Sequence, residues 1–170
     1  MIEMELVGVR VELPANQPIV LLKEREGTRF LPIWIGAVEA TAIAFALQGV
    51  DTPRPLTHDL FVDVLQALDV ELVAVHIVEL REGTFYAELK LLRDGQPTTV
   101  SARPSDAIAL ASRLGEVPVL AAPAVLEEAG LEIEDDEDGA SSSSTGDDEE
   151  EVRQFRAFLD EVTPEDFKEQ

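Results

Sequence analysis

The sequence predicts an α+β domain, and three observations carry that prediction. Apolar residues alternate along several runs, as strands do when one face is buried. Asp94-Gly95 and two Arg-Glu-Gly-Thr tetrapeptides sit between such runs and read as hairpin turns. Helical spacing with start and stop signals recurs at three to four separate places.

Residues 3–13 alternate between Leu6, Gly8, Arg10 and Val7, Val9, Val11, Leu13, the pattern of a strand, and residues 14–18 turn. Residues 19–23 and 30–35 form strands around Arg25-Glu26-Gly27-Thr28. Residues 37–48 are helical and closed by Gly49. Pro53 and Pro55 make 50–56 a loop into a helix over 58–68, with Leu60, Phe61, Val64, Leu65 and Leu68 at helical spacing. Residues 70–80 and 85–92 are strands around Arg81-Glu82-Gly83-Thr84, and 96–102 returns after Asp94-Gly95. A third helix covers 106–114, a short strand 117–120, and a short helix 124–129 closed by Gly130.

Two helix starts share a device. Arg103-Pro104-Ser105-Asp106 and Arg54-Pro55-Leu56-Thr57-His58-Asp59 each run from arginine through proline and a capping residue to aspartate. Proline suits a helix entry, Ser105 and Thr57 suit the N-cap, and an aspartate in the first turn suits the helix dipole. With the Arg-Glu-Gly-Thr echo, and Ala42-Ile43-Ala44 matched by Ala107-Ile108-Ala109, this predicts an internal duplication of a hairpin-then-helix unit.

The chain has 170 residues, no cysteine and a net charge of −22. That length supports one domain with a core. Without cysteine there is neither a disulfide nor a thiolate metal site. The N-terminus lacks the pattern of a signal peptide, and no apolar run is long enough to span a bilayer. The expectation is a soluble, cytoplasmic protein with no membrane contact. Residues 1–130 carry 10 Lys/Arg against 19 Asp/Glu, and residues 131–170 carry 3 against 16. No basic face offers tight nonspecific binding to nucleic acid. The composition divides the chain into a domain over 1–130, an acidic, serine-rich linker over 131–151 and a tail over 152–170. Val152, Phe155, Phe158, Leu159 and Val162 give that tail an amphipathic helical pattern, suited to docking on a protein partner or on its own domain.

Chemistry concentrates at the helix mouths. His58 sits where a positive helix end keeps an imidazole neutral and able to accept a proton, or where it merely caps. Arg54 and Arg103 are placed to hold a phosphate beside helix amides, or to bridge Glu39, Asp59 or Asp106 internally. Glu39 stands near the start of an alanine-rich helix, as a dipole partner or a working carboxylate. With only His58 and His76, a metal would have to be a hard cation such as Mg²⁺ or Mn²⁺ on carboxylates. His76 lies among apolar strand neighbours and reads as structural.

Four segments resemble the bifunctional nuclease domain family. They are Leu31-Pro32-Ile33-Trp34-Ile35-Gly36 with Glu39-Ala40, Arg54 to Leu60, Gly83-Thr84-Phe85-Tyr86-Ala87, and Arg103 to Ala111. Their order and spread cover about residues 3–130. The resemblance implies a large mixed sheet, a homodimer, and nuclease activity on RNA and DNA as attributed to plant members. The matching polar positions are Glu39, Arg54, Thr57, His58, Asp59, Arg103, Ser105 and Asp106. Ser101 departs from the pattern, since members often carry aspartate there. Plant members also append a different C-terminal module. The expected function is phosphodiester hydrolysis of nucleic acid. His58 would be the catalytic base, Glu39, Asp59 and Asp106 would bind a metal or orient these groups, and Arg54, Arg103, Ser105 and Thr57 would contact the substrate. The alternative is a non-catalytic dimeric regulator whose acidic tail recruits a protein.

Overall fold

A computed structural model describes residues 1–12 and 16–132. The acidic linker and the amphipathic tail expected from the sequence lie outside the described residues, apart from the linker's first two positions.

Eight strands form one mixed sheet: β1 (Ile2–Glu12), β2 (Gln17–Glu24), β3 (Arg29–Trp34), β4 (Glu71–Arg81), β5 (Thr84–Arg93), β6 (Gln96–Ala102), β7 (Val119–Ala121) and β8 (Leu131–Glu132). Their order across the sheet is β6-β5-β4-β7-β1-β2-β3-β8. All neighbours are antiparallel except β4 and β7. Four helices complete the domain: α1 (Ala37–Gln48), α2 (Thr57–Ala67), α3 (Pro104–Leu114) and α4 (Pro123–Ala129).

The domain contains two antiparallel meanders, each followed by a helix: β1-β2-β3-α1 and β4-β5-β6-α3. The Ala-Ile-Ala echo falls on the two equivalent helices of this repeat, α1 and α3, but the Arg-Glu-Gly-Thr echo does not map onto it. Arg25-Glu26-Gly27-Thr28 closes the second hairpin of one meander, and Arg81-Glu82-Gly83-Thr84 the first hairpin of the other. Their turns also differ. Glu82 and Gly83 both take positive φ (51° and 75°), as a two-residue type I′ turn requires. Asp94 and Gly95 repeat that geometry at 50° and 73°, as their sequence predicts.

One core joins sheet and helices. Val20, Leu22, Leu31, Ile33, Val75, Ile77, Ala87 and Leu89 face it from the strands, while Ile43, Ile108, Leu110, Val125 and Leu126 face it from the helices. The helix α3 is buried continuously from Ala107 to Ala111. A helical stretch that is apolar all round belongs inside, and α1, α2, β4 and β5 surround this helix. Its alanines let those neighbours come close.

Three details differ from the sequence expectation, and a fourth settles what the sequence leaves open. Arg103, not Ser105, is the N-cap of α3, so Pro104 is the first helical residue and Ser105 is buried in the first turn. Leu56, not Thr57, precedes the first turn of α2. Leu131 and Glu132, assigned to the linker by composition, pair with Phe30 and Arg29 as β8. Finally, the apolar stripe of α2 turns outward. Leu60, Phe61, Val64 and Leu68 are exposed, and Leu65 is the buried residue of that helix. Polar side chains fix this orientation, because His58 and Asp59 both point at α3 side chains.

Candidate functional site at three helix mouths

Counting inward from each helix's N-cap (Gly36, Leu56 and Arg103) puts an acidic residue at the third helical position every time. These residues are Glu39, Asp59 and Asp106. A carboxylate there meets the positive helix end and its unpaired amides. The three helices turn these ends toward one another, and two arginines join them.

Arg103 links α1 to α3. Its Nε and Nη2 donate to Asp106 at 2.7 and 3.0 Å, and its Nη1 stands 2.9 Å from Glu39. Two parallel N–H···O bonds to one carboxylate are the strong geometry for an arginine. The side chain remains 65% exposed, so solvent reaches it. The Asp106 bond, then Glu39, raise the guanidinium above its ordinary pKa. Glu39 reaches Arg103 over Gly36. A Cβ at position 36 would lie 2.2 Å from Glu39 Oε2, so the glycine makes room for the carboxylate.

His58 links α2 to α3. Its Nε2 lies 3.2 Å from Asp106 Oδ1, and its side chain is 16% exposed. An ionised carboxylate can only accept, so Nε2–H donates to Asp106, and in a neutral ring the lone pair is then on Nδ1. Burial opposes ionisation of Asp106, but Arg103 and His58 outweigh it and hold the carboxyl below the usual range.

Asp59 uses its other neighbours. Its Oδ2 accepts the Leu56 backbone N–H at 2.8 Å, and its Oδ1 accepts from Arg113 Nε at 2.5 Å. Burial opposes this charge too, and Arg113 and the Leu56 amide overcome it, lowering the pKa. Arg113 Nη1 also donates to the carbonyls of Ala42 and Ala109 at 3.1 and 2.9 Å. One guanidinium therefore touches α1, α2 and α3.

Glu39, His58, Arg103 and Asp106 thus form one connected group, with Asp59 beside it on Arg113. Arg54 and Thr57 lie exposed at the mouth of α2. The Thr52 hydroxyl donates to the Arg54 carbonyl at 2.7 Å, which orders the loop. Arg54 is in no ion pair among the described residues. Ser105 is 6% exposed. His76 lies on the opposite face of the sheet from Val75 and Ile77, with its pKa lowered by burial and then by Lys90. Arg113 was not among the residues the sequence singled out. Near the end of a helix it reads as a dipole partner, and its carboxylate is 54 positions away.

The group is a polar surface rather than a deep cavity. A groove of about 460 Å³ runs between Leu65, Leu72 and Leu114, and another of about 650 Å³ between Met4, Leu47 and Ala111. Neither is lined by Glu39, His58 or Arg103. Among the described residues no three His, Asp or Glu side chains are arranged to hold a metal ion. No helix among them is long and apolar enough to cross a membrane.

A protein of Mycobacterium tuberculosis (strain ATCC 25618 / H37Rv), itself named as uncharacterized, is 53% identical over 166 residues, covering 98% of each chain. Bifunctional nuclease 2 of Oryza sativa subsp. japonica is 28% identical over 116 residues, which is 66% of this chain and 35% of the rice protein. The family model of the bifunctional nuclease domain matches residues 20–134, from within β2 to just past β8. That span includes every residue of the three mouths, and the chain belongs to the bifunctional nuclease domain family.

Proposed function

We propose that the domain hydrolyses phosphodiester bonds of DNA or RNA at the three helix mouths. The observation that carries this reading is the chain of contacts from Glu39 through Arg103 and Asp106 to His58. It pairs a base candidate with a carboxylate that orients it, and sets an exposed arginine alongside. In that arrangement a neutral His58 takes at Nδ1 the proton of a water that attacks phosphorus, the P–O bond to the leaving sugar oxygen breaks, and solvent protonates that oxygen. Arg103 and Arg54 neutralise charge building on the phosphate oxygens, and Thr57 adds a hydroxyl at the same helix end. Glu39, Asp59 and Asp106 hold these groups in place, while Ser105 supports the first turn of α3 from inside. Mg²⁺ or Mn²⁺ would have to draw on Glu39 and Asp106, whose oxygens are already directed at Arg103. The roles above are therefore assigned without a metal.

The test is direct. Purified full-length protein should cleave end-labelled single-stranded DNA or RNA, and Arg54→Ala should raise KM. No cleavage in the presence or absence of Mg²⁺ and Mn²⁺ would sink the reading.

One observation favours a second reading. All three acidic residues at the mouths are satisfied by arginines of the same chain. That suits a non-catalytic homodimeric scaffold in which the contacts only hold helices together and residues 152–170 recruit a protein partner. It predicts an inactive protein that sediments as a dimer, and loss of partner capture when residues 152–170 are removed.

A further inference from the structure

Beyond the residues that face solvent at the mouths, we infer that Arg113 is the positioning residue of the candidate site, acting through Asp59 on the start of α2. The inference rests on the nuclease reading for its catalytic consequence, but its geometric content stands apart.

The side chain is 10% exposed and its donors diverge. Nε is directed at Asp59 Oδ1 on α2, and Nη1 at the carbonyl oxygens of Ala42 on α1 and Ala109 on α3. The Ala42 carbonyl lies inside a helix and already accepts an intrahelical bond, so Arg113 adds a second donor to it. No lysine can imitate this set, because a single ammonium cannot reach acceptors on three helices from the direction a flat guanidinium does. Asp59 relays the hold. Its second oxygen accepts the Leu56 N–H, the amide just before the first turn of α2. Arg113 thereby fixes the residue preceding Thr57 and His58, and with it the direction in which His58 leaves the backbone. His58 then meets Asp106.

The alternative helper is the apolar packing of α2, and it is weak. Leu65 is the buried side chain of that helix, two turns beyond the mouth, and Val62 is half-buried against the core. Leu56, Leu60, Phe61 and Val64 are exposed and give the first turn little to rest on. The Asp59–Arg113 ion pair therefore shares with the His58–Asp106 contact the work of locating the mouth of α2 against α3.

The experiment uses the full chain with Arg113→Met, Arg113→Lys and Asp59→Asn. Asp59→Asn breaks the same relay from the more exposed partner, because its one acceptor oxygen cannot serve both Arg113 and the Leu56 amide, so it covers the case in which an Arg113 variant does not fold. Two readouts are taken: hydrogen exchange at the Leu56 amide, compared with amides of β4 and β5, and kcat and KM on a fluorogenic oligonucleotide. All three variants should speed exchange at Leu56 at least tenfold while the strand amides keep their protection. In each, kcat should fall at least tenfold with KM within about twofold, and lysine should not rescue. Unchanged Leu56 exchange in both Asp59→Asn and a folded Arg113 variant would overturn the inference, as would rescue by lysine. If the parent does not cleave, the nuclease reading falls, and Leu56 exchange alone decides whether Arg113 positions the mouth.

Discussion

His58 Nε2 lies 3.2 Å from Oδ1 of Asp106, across 48 positions of sequence. That contact joins the first turns of two helices and has the imidazole Nε2–H donating to the carboxylate. Asp106 can hold His58 because Arg103 holds Asp106 through both carboxylate oxygens. Each member of the series limits the rotamers of the next.

Asp106→Asn tests the series at its middle. The amide keeps the shape but loses the charge that both neighbours need. Urea unfolding should show a loss of about 1 kcal/mol, the scale of a partly exposed charged hydrogen bond. On the nuclease reading, kcat should fall roughly 100-fold, the lower end of what a positioned base contributes. An Asp106→Asn protein as active as the parent would remove Asp106 from the site.

Gly36→Ala tests the approach of Glu39. The glycine has φ −75° and ψ 157°, which alanine tolerates, so the backbone is not the obstacle. The obstacle is Glu39 Oε2, 2.2 Å from where the new Cβ would stand. The expected result is a displaced Glu39 and a loss below about 1 kcal/mol. A double-mutant cycle with Glu39→Gln should then be non-additive, because both changes remove the same contact with Arg103. Full additivity would mean that Glu39 stays where it is.

Acid should unfold the domain through these carboxylates. Asp59 and Asp106 both have folded pKa values below their ordinary ones. Between the two values the unfolded chain binds more protons than the folded one, so stability falls as pH falls. Their contribution is complete above the unfolded carboxylate value of about 4 and is lost progressively below it. Urea midpoints measured against pH should therefore drop below about pH 4, and Asp59→Asn or Asp106→Asn should make that part of the curve shallower.

The outward stripe of α2 and the inward face of α3 should respond oppositely to substitution. Ile108 is fully buried, and Ile108→Ala should cost about 2–5 kcal/mol by opening a cavity. Val64 is exposed on an equally apolar helix, and Val64→Gln should change stability by less than about 0.5 kcal/mol. Thermal melting distinguishes the two.

Much of this architecture is legible along the chain. Alternation marks β1 to β6, the Asp94-Gly95 turn has the backbone its residues prefer, and Gly49 closes α1 in the left-handed conformation. What local pattern does not encode is partnership across the fold. Strand β7 enters between β4 and β1 from late in the chain, and only the tertiary core makes that insertion favourable. The apolar spacing of α2 marks a helix but not which side faces inward. Two polar contacts decide that, at Asp106 and Arg113. Arg103 takes the capping position although Ser105 is the better capping residue. Proline suits the first helical position, so placing Pro104 there moves the boundary back by two. For the site, residue type and spacing single out Glu39, His58, Arg103 and Asp106, and the fold brings them together. Arg113 escapes because its meaning lies in three distant acceptors.

The measurement that bears most directly on the account is single-turnover cleavage of a labelled oligonucleotide by the parent, His58→Ala and Arg103→Ala, with folding of each checked by circular dichroism. The account predicts cleavage by the parent and a loss of at least about 100-fold in both variants at unchanged fold. Equal cleavage by the parent and a folded His58→Ala protein would contradict it.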